Sequence, residues 1–210
     1  MALISKENIA HATQLGIWKK EESLELLESV YILNDAENEA YSKITNESRK
    51  KEWLTTRILL TELLEKRTDI SYNTNRKPIL SNHSSNITIS HSRNFVVIIL
   101  SASYYPGVDV EYISDRVAKV KHKFLNNREL EWCKNIEQMT ACWSAKEAVF
   151  KIFEKNLDFH DMEIAPFIVS SNGGSFKATI LKPRKQGSYS VKYRVIENDI
   201  LTYTLSKSVI

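Results

Sequence analysis

The pentapeptide Gly107–Glu111, GVDVE, constrains the fold more than any other stretch of the chain. Apolar and acidic residues alternate in it, and alternate side chains of a strand project to opposite faces. Val108 and Val110 therefore share a face to be buried, and Asp109 and Glu111 share the other. Two carboxylates side by side repel unless a cation lies between them. A second stretch, WSAKEAVFK at Trp143–Lys151, spaces Trp143, Glu147 and Lys151 four apart, along one helical stripe. A third carboxylate and a lysine are thus available to the acidic strand. Such a set suits a hard divalent cation holding a phosphate group.

The chain of 210 residues is 42% apolar and 26% charged, too apolar for disorder and too charged for a membrane protein. Its most apolar run, Phe95–Leu100, is far short of the roughly 20 residues of a spanning helix. The opening MALISKENIAHATQ has no basic segment followed by a long apolar core, so a signal peptide is not expected and a cytoplasmic location is. Cys133 and Cys142 lack metal-ligand spacing and read as reduced, buried thiols. The net charge of +3 falls wholly in residues 106–210. It is too small for nucleic acid, but Lys119, Lys121, His122, Lys123 and Arg128 offer a basic face to an acidic partner, with Phe124 and Leu125 as an apolar anchor.

Periodicity predicts a strand or turn at Leu15–Trp18, a helix over Glu21–Val30 and a short acidic one over Asn34–Tyr41. Asn46 is expected to cap a long helix from Glu47 to about Lys66. Thr68–Pro78 is polar and turn-rich; Asn86–Ser90 and the more apolar Phe95–Ser101 read as strands, and Tyr104–Gly107 as a turn. In the second half, helices are predicted at Asp115–Phe124, Asn127–Asn135 and Met139–Phe153. Strands follow at Ser175–Leu181, Ser188–Ile196 and Ile200–Leu205. Each half sets a long helix before a run of strands. The expected architecture is an α+β, pseudo-two-fold pair of similar halves, 1–105 and 106–210, with the site in the cleft between them.

Five blocks in order, SRKKEWLTTR (Ser48–Arg57), RKP (Arg76–Pro78), ITISHS (Ile87–Ser92), GVDVE and WSAKEAVFK, make the sequence resemble the 4′-phosphopantetheinyl transferases of the larger, monomeric, surfactin-activating type. The resemblance implies an enzyme, a holo-acyl-carrier-protein synthase. It would move the phosphopantetheine arm of coenzyme A to a serine of an apo acyl or peptidyl carrier protein and release adenosine 3′,5′-bisphosphate. It implies that Asp109, Glu111 and Glu147 hold Mg²⁺ on the pyrophosphate and that Lys151 contacts the same phosphates. Lys77, Pro78, Ser90 and His91 would line the nucleotide end, with His91 and either Arg49 or Arg57 on the 3′-phosphate. Glu147, or else Glu111, would take the serine proton. Three positions depart from the family pattern: Arg76, Arg93 and Asn156 stand where glycines are usual. A metal-dependent nuclease would need its glutamate and lysine on a strand with one residue between them. Glu147 and Lys151 instead stand four apart on a helix.

Overall fold

The computed structural model describes residues 2–81, 83–153, 157–182 and 187–208. The chain begins with a hairpin of β1 (Leu3–Ala10) and β2 (Thr13–Lys19), followed by α1 (Leu24–Val30), α2 (Asp35–Ser42) and the long α3 (Glu47–Leu64). A small hairpin of β3 (Ile70–Tyr72) and β4 (Pro78–Leu80) leads into β5 (Asn86–His91) and β6 (Phe95–Ser101). The acidic strand is β7 (Tyr105–Tyr112). After it come α4 (Arg116–Val120), a single 3-10 turn, α5 (Asn127–Trp132) and the long α6 (Ile136–Phe153). The chain closes with β8 (Met162–Ile164), β9 (Gly174–Ile180), β10 (Gly187–Ile196) and β11 (Asp199–Ser206).

The strands form two larger sheets, ordered β1-β2-β6-β5 and β7-β11-β10-β9-β8, besides the β3-β4 hairpin. The described pairings are antiparallel. This is a mixed α and β fold. Among the described residues no helix is long and apolar enough to cross a membrane.

The run Phe95–Ser101 is buried at every position because both its faces are covered. Val96, Ile98 and Leu100 pack with Leu54, Ile58, Leu59 and Leu63 of α3. Phe95, Val97 and Ile99 instead meet Val108, Val110, Leu201 and Tyr203 of the second sheet, together with Leu15 and Ile17. The two sheets thus share one apolar seam. At about 25 cal/mol per Å², such a seam is a major cohesive contribution. The second sheet turns Phe176, Ala178, Ile180, Val191 and Tyr193 into a third cluster with Cys142, Ala145, Val149 and Ile152 of α6.

Local signals explain most boundaries. Asn46 accepts the Arg49 N–H at 3.1 Å and caps α3 as its side chain suggests. Ser23 caps α1 from outside, so that helix starts at Leu24 and not at Glu21. Tyr104–Gly107 is not a turn: β7 starts at Tyr105, because Ser206, Leu205 and Thr204 of β11 pair with Tyr105, Pro106 and Gly107. The helix expected over Asp115–Phe124 is split into α4 and the 3-10 turn at Lys121–Lys123. Phe124 and Leu125 are buried in that third cluster and offer no exposed anchor. The position of Asn156 lies outside the described residues.

Gly107 fixes how the acidic strand meets α6. A Cβ there would overlap the Ala148 carbonyl and press on Ile152, so only glycine lets the helix backbone rest on the strand. A buried ion pair anchors α6 from its other side. The Lys146 ammonium donates to Glu129 of α5 at 2.6 Å and to the Phe124, Phe159 and Met162 carbonyls. Glu129 in turn accepts the Ile164 N–H at 2.8 Å.

Candidate active site

Three elements converge around Asp109. This residue, only 5% exposed, sits in the middle of β7. Its Oδ1 accepts from the Ser90 hydroxyl of β5 at 2.9 Å and from the Lys151 ammonium of α6 at 3.0 Å. Lys151 also donates to the Val108 carbonyl at 2.8 Å. Ser90 further accepts the Val110 N–H, which ties the edge of the first sheet to the acidic strand. Asp109 Oδ2 is buried with no hydrogen-bond partner. An orphaned carboxylate oxygen carries a desolvation cost of about 1–3 kcal/mol unless a ligand or ion meets it.

Glu111 and Glu147 flank this point. The Trp143 indole N–H donates to Glu111 Oε1 at 3.0 Å, and the ring itself packs edge-on against Phe124 and Phe159. Burial, joined by the charges of Asp109 and Glu147, pushes the Glu111 carboxyl up to about 7, against the opposing pull of Trp143 and Lys151. Burial and Asp109 also raise Glu147, with Lys151 opposing. Among the described residues the Glu147 carboxylate accepts no hydrogen bond and pairs with no cation. Two raised carboxyls, Glu111 and Glu147, beside the partnerless oxygen of Asp109 together fit a divalent cation. Among the described residues no three His, Cys, Asp or Glu side chains close into a complete metal cage. Mg²⁺ does not need one: it takes one or two carboxylates and completes its shell with water and phosphate oxygens.

Lys151 also borders a cavity of about 520 Å³ that runs along α3 to the β3-β4 hairpin. One wall is apolar, with Ile44, Trp53, Tyr72, Pro78, Ile87 and Phe150. The charged groups are mainly cationic: Arg49, Arg57, Arg76 and Lys77 line it beside His91, with a single acid, Glu52. All the residues expected at the nucleotide end line this cavity except Ser90, whose buried hydroxyl points to Asp109.

The two candidate arginines of α3 differ in their surroundings. Arg57 is buried, with its guanidinium 3.1 Å from the centroid of the Trp53 ring, its Nε 3.3 Å from Glu37 and its Nη1 on the Trp53 carbonyl. Glu37 is also gripped by Arg67 and by the Tyr31 hydroxyl. Arg49 is exposed at the mouth, where Nη1 stands 3.1 Å from Glu52 and 3.4 Å from His91 Nε2. Lys77 lies 6.0 Å from the centroid of the Tyr105 ring.

Glu52 and Lys20 escape the sequence reading. Lys20 donates to Glu52 at 3.3 Å and to the Ser92 carbonyl at 2.7 Å, so one carboxylate organises Lys20, Arg49 and His91. Desolvation holds the His91 imidazole below its ordinary pKa; Glu52 opposes this, and Arg49, Lys20 and Lys151 add to it. The only hint in the sequence is that Glu52 falls one turn after Arg49 on the same helical stripe. Trp143 shares the helical stripe of Glu147 and Lys151, but its hydrogen bond to Glu111 is not signalled in the sequence.

No match is found among curated proteins. Residues 105–203, which carry Asp109, Glu111, Glu147 and Lys151, match the family model of the 4′-phosphopantetheinyl transferase superfamily.

Proposed function

We propose that the chain transfers the 4′-phosphopantetheine arm of coenzyme A to a serine of an apo carrier protein, as a Mg²⁺-dependent enzyme of the surfactin-activating type. The observation that carries this reading is the polarity of the groove. Lys151 at its border reaches Asp109, whose second oxygen is orphaned, and Arg49, Arg76 and Lys77 set cations along an apolar wall with His91 among them. An elongated ligand with a phosphorylated nucleotide at one end and a pyrophosphate at the other matches that order. The superfamily match over the acidic end supports the same reading.

In this reading Asp109, Glu111 and Glu147 would hold the metal, which when bound neutralises charge on the pyrophosphate. Arg49, beside His91, grips the 3′-phosphate; Arg57 is committed to Glu37 and Trp53 and shapes the wall. Lys77 and Pro78 flank the nucleotide. Glu147, whose carboxylate is uncommitted, accepts the serine proton, and Glu111 is second because Trp143 already occupies one of its oxygens. The serine oxygen bonds to the β-phosphorus as the bond to the bridging oxygen breaks. Lys151 donates the proton that the departing adenosine 3′,5′-bisphosphate requires. Ser90 orients Asp109.

The basic residues Lys119, Lys121, His122, Lys123 and Arg128 are all exposed around α4 and receive the acidic helix of the carrier by charge. The chain works as a monomer in which the halves 1–105 and 106–210 are related by pseudo-two-fold symmetry, each with an 18-residue helix on an antiparallel sheet. The decisive experiment mixes the protein with coenzyme A, Mg²⁺ and apo carriers of the fatty-acid and nonribosomal-peptide types and reads intact mass. One added phosphopantetheine on any of them supports the proposal. Binding of coenzyme A without transfer to any carrier would replace it with a non-catalytic coenzyme A-binding role.

A further inference from the structure

Arg76 occupies the left-handed region, with φ of 61°. That region is disfavoured for residues with a Cβ and is the usual place of glycine or asparagine. The turn leaves it little choice. The Asn73 side chain accepts the N–H groups of Asn75 and Lys77, both at 2.9 Å. The Arg76 N–H donates to the Asn73 carbonyl at 2.9 Å, and the Asn73 N–H to the Lys77 carbonyl at 3.0 Å. Among the described residues, three others with side chains share the conformation: Ala12 and Glu197 in hairpin turns and Glu65 at the end of α3. None of those three borders the cavity, whereas Arg76 does.

The guanidinium is also uncommitted. Among the described residues it carries no ion pair and no hydrogen bond, while Arg57 is held by Glu37 and Arg49 by Glu52. A fork of five donors at the rim of a cation-lined groove is suited to bidentate capture of a phosphate. Glycine at this position would relax the backbone and lose the fork. A strained position kept by a long cationic side chain points to a use for that side chain.

We propose that Arg76 is a ligand-gripping residue of the groove, closing its guanidinium on a phosphate group of a phosphorylated nucleotide. That the nucleotide is coenzyme A rests on the function proposed above. The test uses the full chain with Mg²⁺ and the variants Arg76→Gly and Arg76→Asn, both at ease in the left-handed region. Binding of coenzyme A, adenosine 3′,5′-bisphosphate and inorganic pyrophosphate is measured by calorimetry, and folding by thermal unfolding. Both variants are expected to unfold at or above the wild-type temperature, and to bind at least one nucleotide about tenfold more weakly. Their binding should also depend less on salt. If the wild type binds coenzyme A and both variants bind it equally well, the role of Arg76 is overturned and the coenzyme A reading stands. If the wild type binds the bisphosphate but not coenzyme A, and the variants lose that binding, the role of Arg76 stands and the coenzyme A reading falls. If the wild type binds none of the three probes, both are overturned.

Discussion

Lys151 turns its ammonium to Asp109 Oδ1, 3.0 Å away on a neighbouring strand, although Glu147 stands one turn before it on the same helix. The choice follows from burial. Asp109 is the more deeply buried carboxylate, and a charge in that setting gains more from a partner than an exposed helical pair does. Lys151 therefore joins α6 to β7 and, among the described residues, leaves the Glu147 carboxylate without a cation.

Replacing Lys151 with alanine should weaken both fold and function. Asp109 would lose one of its two donors, and unfolding in urea should show a loss of about 1–3 kcal/mol. Transfer, measured by carrier mass, should fall on the order of 10²-fold or more. Asp109→Ala should abolish transfer while removing an orphaned oxygen, so its stability loss should be the smaller of the two.

Glu147→Gln should abolish transfer with near-wild-type folding. Normal turnover in this variant would remove Glu147 from the chemistry.

The acidic cluster also predicts a pH dependence for the metal-free protein. Glu111 titrates near 7 when folded, above its ordinary value, so the folded chain holds a proton that the unfolded chain has released. Stability should therefore be highest below the ordinary carboxylate range and fall as the pH rises toward 7. In chelator, Glu111→Gln should flatten that slope and be more stable than the wild type at pH 8, by about 1–2 kcal/mol. The two proteins should converge toward pH 4.

Gly107→Ala tests the packing of strand on helix. With no room for a Cβ against the Ala148 carbonyl, the variant should lose about 1–3 kcal/mol and shift α6 relative to β7. Transfer should fall with it, because Asp109 and Glu147 reach the site from those two elements.

Lys146→Met addresses the other anchor of α6. It leaves Glu129 as a buried carboxylate without its cation, and should destabilise the protein by about 3–5 kcal/mol. Adding Glu129→Gln to it should recover part of that loss.

Most of the secondary structure was legible because its signals are local. The unbroken apolar run of Phe95–Ser101, the Asn46 cap and the alternation in GVDVE each act within a few residues. The short strands β3, β4 and β8 were not legible, since three residues carry no period. Phe124 and Leu125, which follow a basic run, look like surface residues. They are buried in the core cluster that includes α6, where Phe124 meets Trp143, and no neighbour in the sequence says so. The burial of Lys146 is equally hidden in the sequence, since it depends on Glu129 and three distant carbonyls. The composition of the candidate site was readable from residue types and spacing. Its wiring was not: the Lys151–Asp109 pair, the Ser90 bond and the Glu52 hub are all made between elements remote in the chain.

The seam of Phe95, Val97 and Ile99 against Val108, Val110, Leu201 and Tyr203 joins two unlike sheets within one polypeptide. A cleft formed by two identical chains would repeat every group across its axis and would accept a long ligand either way round. Here the chain supplies arginine, histidine and lysine from one side and the carboxylates from the other. Direction is built into the covalent connection, and an elongated ligand turned end for end would meet a different set of groups at each end.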